Sequence, residues 1–372
     1  MQTKLYVGLD LHSNNTYVGV IDSKERRVLK GKFPNQLEVI LALLEPYKKR
    51  IVGVVVESTF NWYWLVDGLM DNGFKVHLAH PAAFKQYNGL KYTDDEHDAF
   101  FLAKMLQLGI LPEGYIMPRE ERHLRDLLRK RLKLVRQRTT HILSFKSLVS
   151  RNQAISMDSN KIKTLTEESI DGMFENKHLV ISAKTNIAIM NYLKEKIVEI
   201  EKQIRNVTQL KPENDLLQTV PGIGKSLVLT VMLETGDINR FKGVGNYASY
   251  CRCVSSKRLS NNKSKGENNR KNGNKYLSWA YVEIANCAKR YCPQARAFYL
   301  KKSIKTNKTL AIKALAHKLA RACYYIMKDN VAFDVTKIFG KPILKNGCGR
   351  EPKWGLDNQP SALIGQPAAA DL

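Results

Sequence analysis

The chain has 372 residues, with 60 Lys+Arg against 35 Asp+Glu and a formal net charge of +25. An excess of that size calls for a polyanionic partner, and nucleic acid is the default reading. Hydrophobic residues at 44% and charged residues at 26% are ordinary for a globular protein with a buried core, and they exclude collagen-like and mostly disordered classes. No run approaches the roughly 20 apolar residues that span a bilayer, and the opening MQTKLYVGLDLHS does not have the form of a secretory leader. The six cysteines, Cys251, Cys253, Cys287, Cys292, Cys323 and Cys348, are too few for a disulfide scaffold and miss the paired spacing of a zinc site. A reducing cytoplasm, with no membrane partner, is the expected setting.

Residues 1–118 alternate strand and helix patterns. Leu5 to Leu11, Tyr17 to Ile21 and Val28 to Phe33 read as three strands, with Asn14-Asn15 as a turn between the first two. Pro34 to Tyr47 has helical spacing through Leu37, Ile40, Leu41 and Leu44, and IVGVVV at 51–56 is a strand buried on both faces. A helix from Trp62 to Met70, a strand Lys75 to Leu78 and a helix near Pro81 to Tyr87 follow. Three strands, then alternating helix and strand, is the order of a ribonuclease-H-like α/β domain. Residues 119–210 form a helical region. Its first segment, 119–151, holds 11 Lys/Arg against three Asp/Glu and keeps apolar residues at Leu124, Leu127, Leu128, Leu132 and Val135. A second periodic stretch runs from Ile187 to Val207. The two predict a helical hairpin, an intermolecular coiled coil or two core helices of a bundle. Lys211-Pro212 opens a mostly helical domain over 211–338, in which 289–328 carries 11 Lys/Arg and no carboxylate. The tail, 339–372, is rich in Gly, Pro and Ala and predicts no core of its own.

Four carboxylates stand out: Asp10, Glu57, Asp95 and Asp98. Asp10 ends the run LYVGLD, and Glu57 follows IVGVVV directly. Acids at the ends of buried strands are costly unless paired, hydrated or bound to cations. Asp95 and Asp98, three apart, share a face if helical. Converging carboxylates suit Mg2+, and a pair of ions can clamp the attacking and leaving oxygens of a phosphodiester. Taken singly, each has a plainer reading: Asp10 as a turn residue, Glu57 as a helix-start charge, and Asp94 to Glu96 as a solvated helix start capped by Thr93. Asp94 rivals Asp95, while Ala99 after Asp98 fits a helix lying close on a sheet. Trp62, Tyr63 and Trp64 follow Glu57 closely and either flank the site or pack into the core. An actin-like ATPase would need a second phosphate loop and an adenosine motif, and the chain has neither.

In the last domain, GIGKS at 222–226 fails as a phosphate loop because Thr219 stands where glycine is required. VPGIG at 220–224 reads either as a helix-hairpin-helix turn whose backbone N–H groups, with Lys225, meet a DNA phosphate, or as an ordinary helix–helix turn. Gly222 and Gly224 are its key residues. From Lys257 to Lys275 there are seven Lys/Arg and one Glu among Asn, Ser and Gly. Lys257, Arg258, Lys263, Lys265, Arg270 and Lys271 make this a loop for a phosphate backbone. With the SYCRCVSS run just before it, it brings Ser255, Ser256, Ser260 and Ser264, any of which could be structural or, if activated, a nucleophile.

These motifs, GLDLHS, VVVES, YTDDEHDAFFLAKMLQLGILPEGYI, VPGIG and SYCRCVSS with LSNNKSKG and KNGNKYL, lie in order over about residues 1–335. Through them the chain resembles the DEDD-type insertion-sequence transposases of the IS110 family, most closely the IS1111 branch. The resemblance implies a RuvC-like domain, a coiled-coil connection and a C-terminal transposase domain. It implies DNA excision and insertion in a bacterial cytoplasm, guided by a structured noncoding RNA that pairs with donor and target DNA, in a tetramer built as a dimer of dimers. The family's acids map onto Asp10, Glu57, Asp95 and Asp98, with Mg2+, two ions, as cofactor. Its nucleophilic serine, set in a Ser-Gly or Ser-Asn step, maps onto Ser260 before Asn261, with Ser256 as the alternative. It would form a covalent phosphoserine link to DNA. The competing expectations are a RuvC-like junction nuclease that hydrolyses with the acids alone, and a non-catalytic binding protein.

Overall fold

A computed structural model of the chain describes residues 3–80, 94–208, 211–256, 259–266 and 272–340. Contacts divide the chain into two units, Met1–Phe333 and Asp334–Leu372. The described part of the second is α13 (Val335–Phe339), whose first turn is capped by the Asp334 carboxylate; most of the expected tail lies outside the described residues.

The first unit starts with an antiparallel meander, β1 (Leu5–Leu11), β2 (Asn15–Asp22) and β3 (Arg27–Pro34). After α1 (Leu37–Leu44) and a short 3-10 stretch, β4 (Ile51–Glu57) adds parallel to β1; after α2 (Tyr63–Asp71), β5 (Val76–Ala79) adds parallel to β4. The sheet order is β3-β2-β1-β4-β5. The predicted helix near Pro81 to Tyr87 lies outside the described residues, which resume at α3 (Asp95–Gln107).

Alternation along the strands assigns the two faces of the sheet. Leu5, Val7, Leu9 and Leu11 of β1, with Val54 and Val56 of β4, pack with Ile40 and Leu44 of α1 and Leu65 and Leu69 of α2. Each fully buried side chain of this kind stabilises the fold by about 1.5–3 kcal/mol. The other face meets α3: Val55 packs with Leu102, and Ile21 with Phe100 and Ala103. Gly8 is what lets α3 lie so close. A Cβ there would fall 1.9 Å from the Ala99 carbonyl oxygen. Asp10 and Glu57 belong by parity to this α3 face.

The helical region is an intramolecular antiparallel hairpin. Along α4 (Arg119–Gln153) and α6 (Lys177–Thr208), Leu128 meets Ile204, Val135 meets Ile197, and His141 meets Asn186. The segment between them carries α5 (Ser159–Ile162), and Ile162, Ile170 and Phe174 close its end in a core with Phe145 and Ile187. The rest of the unit is a helical cluster: α7 (Pro212–Gln218), α8 (Lys225–Thr235), α9 (Val244–Tyr250), α10 (Lys275–Tyr291), α11 (Pro293–Lys305) and α12 (Lys308–Asp329), with a small hairpin of β6 (Leu259–Ser260) and β7 (Lys263–Ser264). From Val228 to Thr235 every residue of α8 is buried. Among the described residues no helix is long and apolar enough to cross a membrane.

Candidate active site and nucleic-acid interface

Parallel pairing of β1 with β4 sets Leu9 against Val56. One residue further, Asp10 and Glu57 end neighbouring strands on the same face. The first turn of α3 lies over that face and brings Asp95 and Asp98. Asp94, the rival candidate, instead caps the helix: its Oδ1 accepts from the His97 N–H at 2.8 Å. This corrects the reading of Thr93 as cap and follows from the extended backbone of Asp94. Glu96 fastens the same turn to the meander, accepting from the Tyr17 hydroxyl at 2.8 Å and from Lys30 at 3.1 Å.

The electrostatics match a gathered set of like charges. Asp10 is buried, and its carboxyl is pushed up to about 8, first by desolvation, then by the adjoining Glu57, and then by Asp98 and Asp95. Asp98 is raised too, by burial and by Glu57 and Asp95, against an opposing effect of His97. Asp10 Oδ2 and Asp98 Oδ1 are buried without a hydrogen-bond partner. The orphaned oxygens of Asp10 and Asp98 call for a proton or a bound cation. The residues therefore fit divalent ions.

Sequence reasoning passed over His12. It follows Asp10 by two residues in GLDLHS, just past the end of β1, where the turn into β2 sets its ring beside the acids. Its Nδ1 lies 3.5 Å from Asp10 Oδ2 and its Nε2 3.6 Å from Asp95 Oδ1. Lys32, on β3, reaches the other oxygen of Asp95 at 3.4 Å.

The aromatic triplet after Glu57 serves packing: Trp62 and Trp64 lie against the sheet core, and the Arg122 guanidinium stacks on Tyr63 at 4.2 Å and Trp62 at 4.9 Å. Arg122 is buried and paired with Asp67 of α2 at 2.5 Å. Other cations of α4 are structural as well. Arg129 forms a bidentate pair with buried Glu234 of α8, both contacts 2.7 Å, and Glu234 also accepts from Asn274 at 2.7 Å. Arg131 binds Glu201 of α6 and Ser226. Arg122, Arg129 and Arg131 are thus engaged within the fold. Lys130, Lys133 and Arg136 do line an open cleft of about 580 Å³ with Asp126 and Tyr276.

In the VPGIG turn, Gly222 has φ +91°, and a Cβ there would meet the Ile284 carbonyl oxygen at 2.6 Å. This glycine lets the turn dock on α10. Gly224 and Lys225, at the start of α8, are exposed. Ser260 is exposed and pairs with Lys263, across Asn261 and Asn262 at φ +49° and +58°, the left-handed pair of a two-residue hairpin turn. Lys263 and Lys265 are exposed on it; Lys257, Arg258, Arg270 and Lys271 lie outside the described residues. Among the described residues, no hydrogen bond or ion pair joins this hairpin to the carboxylates. Ser256 is partly exposed, before β6.

Residues 7–152 match the family model of the DEDD transposases of IS110, described as a transposase. Residues 214–300 match a second, described as transposase, IS116/IS110/IS902 family. No curated protein matches the chain. The two matches place the acidic face in one transposase domain and the VPGIG turn with the Ser260 hairpin in the other. A DEDD-type domain points to dependence on divalent metal, and a transposase acts on DNA.

Proposed function

We propose that this chain, carrying two transposase domains of the IS110 family, excises and inserts a mobile element by DNA strand transfer, with Ser260 as nucleophile and Asp10, Glu57, Asp95 and Asp98 as metal-holding acids. The observation that carries the reading is the convergence of buried Asp10 with partly buried, like-charged Glu57 and Asp98 at the ends of β1 and β4 under α3. The sheet order agrees with a RuvC-like, ribonuclease-H-type domain, and the α7–turn–α8 unit agrees with a helix-hairpin-helix. Two Mg2+ ions held by the four acids would offset charge on the phosphate and the departing oxygen.

In the transfer step the bond between Ser260 Oγ and phosphorus forms and the bond from phosphorus to the 3′ oxygen breaks. The proton leaves Oγ and the 3′ oxygen ends as a hydroxyl. The Oγ–P link conserves the phosphodiester energy, so strands can be exchanged and resealed without ATP. Gly224, Lys225, Lys263 and Lys265, with Lys257, Arg258, Arg270 and Lys271, hold backbone phosphates. The net charge of +25 supports a polyanionic partner, here a structured guide RNA together with donor and target DNA. A tetramer, as a dimer of dimers, would let one subunit's hairpin serve another subunit's acids.

One observation favours hydrolysis by the acids alone: among the described residues no hydrogen bond or ion pair joins the Ser260 hairpin to them. Trapping after denaturation decides. A covalent protein–DNA adduct that disappears in Ser260→Ala supports strand transfer. Normal cleavage by Ser260→Ala without an adduct overturns it and leaves the junction nuclease. A reproducible structured RNA purifying with the chain supports guidance, and its absence removes that part of the proposal.

A further inference from the structure

Two residues past Asp10, at the open edge of the acidic face, the chain fixes a nitrogen donor. The His12 N–H donates to the Asn15 carbonyl at 2.9 Å, closing the turn into β2. The His12 carbonyl accepts from the side-chain amides of Asn35 at 2.9 Å and Asn61 at 3.0 Å. Asn35 is held in turn by the Thr16 hydroxyl at 2.7 Å. A loop tied by segments on both sides of the sheet presents its imidazole between Asp10 and Asp95. One ligand atom from each of the three residues lies within 4.8 Å of the others. Of these, Asp10 Oδ2 is buried with no hydrogen-bond partner. Lys32 engages Asp95 Oδ2, and Oδ1 is the oxygen turned to His12.

We infer that His12 is a nitrogen ligand of an ion shared with Asp10 and Asp95, so that this position takes Mn2+ more tightly than Mg2+. The inference rests on the acidic centre proposed above. Mg2+ selects oxygen ligands and keeps much of its water, whereas an imidazole in the ligand set favours transition-metal ions. Three all-oxygen ligands would not discriminate in this way. The anchored main chain fixes where the ring starts from, which limits the ordering cost of binding.

The test uses the full chain, free of nucleic acid and loaded with about one equivalent of Mn2+ per site, read by pulsed electron paramagnetic resonance. Wild type is expected to show nitrogen coupling to bound Mn2+, shifted when histidine is labelled with ¹⁵N. His12→Ala is expected to lose it and to bind Mn2+ at least about 10-fold more weakly, while Mg2+ affinity, measured by competition, moves less than about twofold. His12→Gln, which keeps the side-chain volume, is expected to match His12→Ala. Bound Mn2+ without nitrogen coupling in wild type, or coupling that survives in His12→Ala, overturns the His12 assignment and leaves the carboxylate centre standing. Mn2+ bound as tightly by Asp10→Asn as by wild type overturns both.

Discussion

Asp10 carries the largest consequence of a single residue. In the metal-free fold it keeps its proton up to about pH 8, whereas an ordinary Asp ionises near 3.8. The folded chain therefore binds more protons than the unfolded chain between those values. The stability contributed by this group is full at low pH and is lost as pH rises through about 8. Asp98, also raised, acts with the same sign. In EDTA, Asp10→Asn is expected to melt higher than wild type at pH 9 and to show a flatter change of melting temperature between pH 5 and 8. Divalent ions should stabilise wild type strongly and this variant weakly. An identical pH profile for the two proteins in a thermal melt would contradict the account.

At the scale of elements, the site depends on how closely α3 lies on β1. Gly8→Ala would drive a methyl group into the Ala99 carbonyl, and overpacking of this kind costs about 1–3 kcal/mol. The expected result is a lowered melting temperature with a larger loss of strand cleavage, because Asp95 and Asp98 ride on the displaced helix. A stability loss with normal cleavage would count against α3 as carrier of the acids. Much of this layer was legible in the sequence. LYVGLD and IVGVVV named their strands, and Ala99 after Asp98 marked a close helix. The choice between Asp94 and Asp95 needed the helix start itself, since only the extended backbone of Asp94 makes it the cap. His12 was not legible, because it lies just past the end of β1 in a turn whose direction the sequence does not set, and a lone histidine carries no partner in sequence. The hairpin of α4 and α6 stayed open for a different reason: an apolar stripe says that a helix is covered and not by which chain.

Across the whole molecule, the long-range pairing was not legible. Arg129 and Glu234 stand 105 residues apart, and on an amphipathic helix Arg129 reads as one more solvated cation. It joins the hairpin to the buried face of α8, with the Asn274 cap of α10 on the same carboxylate. Arg129→Met would leave Glu234 buried and unpaired, at a cost of about 3–5 kcal/mol. Chemical denaturation should show that loss, and Arg129→Met with Glu234→Leu together should recover part of it. A fully additive double variant would deny the coupling. By contrast, Lys263→Ala with Lys265→Ala should leave the melting temperature unchanged. It should flatten the dependence of DNA affinity on salt by about two counterions, and an unaltered salt slope in a binding titration would remove the hairpin from the interface.

Crystals of the full chain soaked in Mn2+ and measured at the manganese absorption edge would test the acidic centre most directly. The account predicts anomalous density between the ends of β1 and β4 and the first turn of α3, within bonding reach of Asp10 and lost in Asp10→Asn. Manganese bound only elsewhere, with Asp10, Glu57, Asp95 and Asp98 in place and bare, would contradict it.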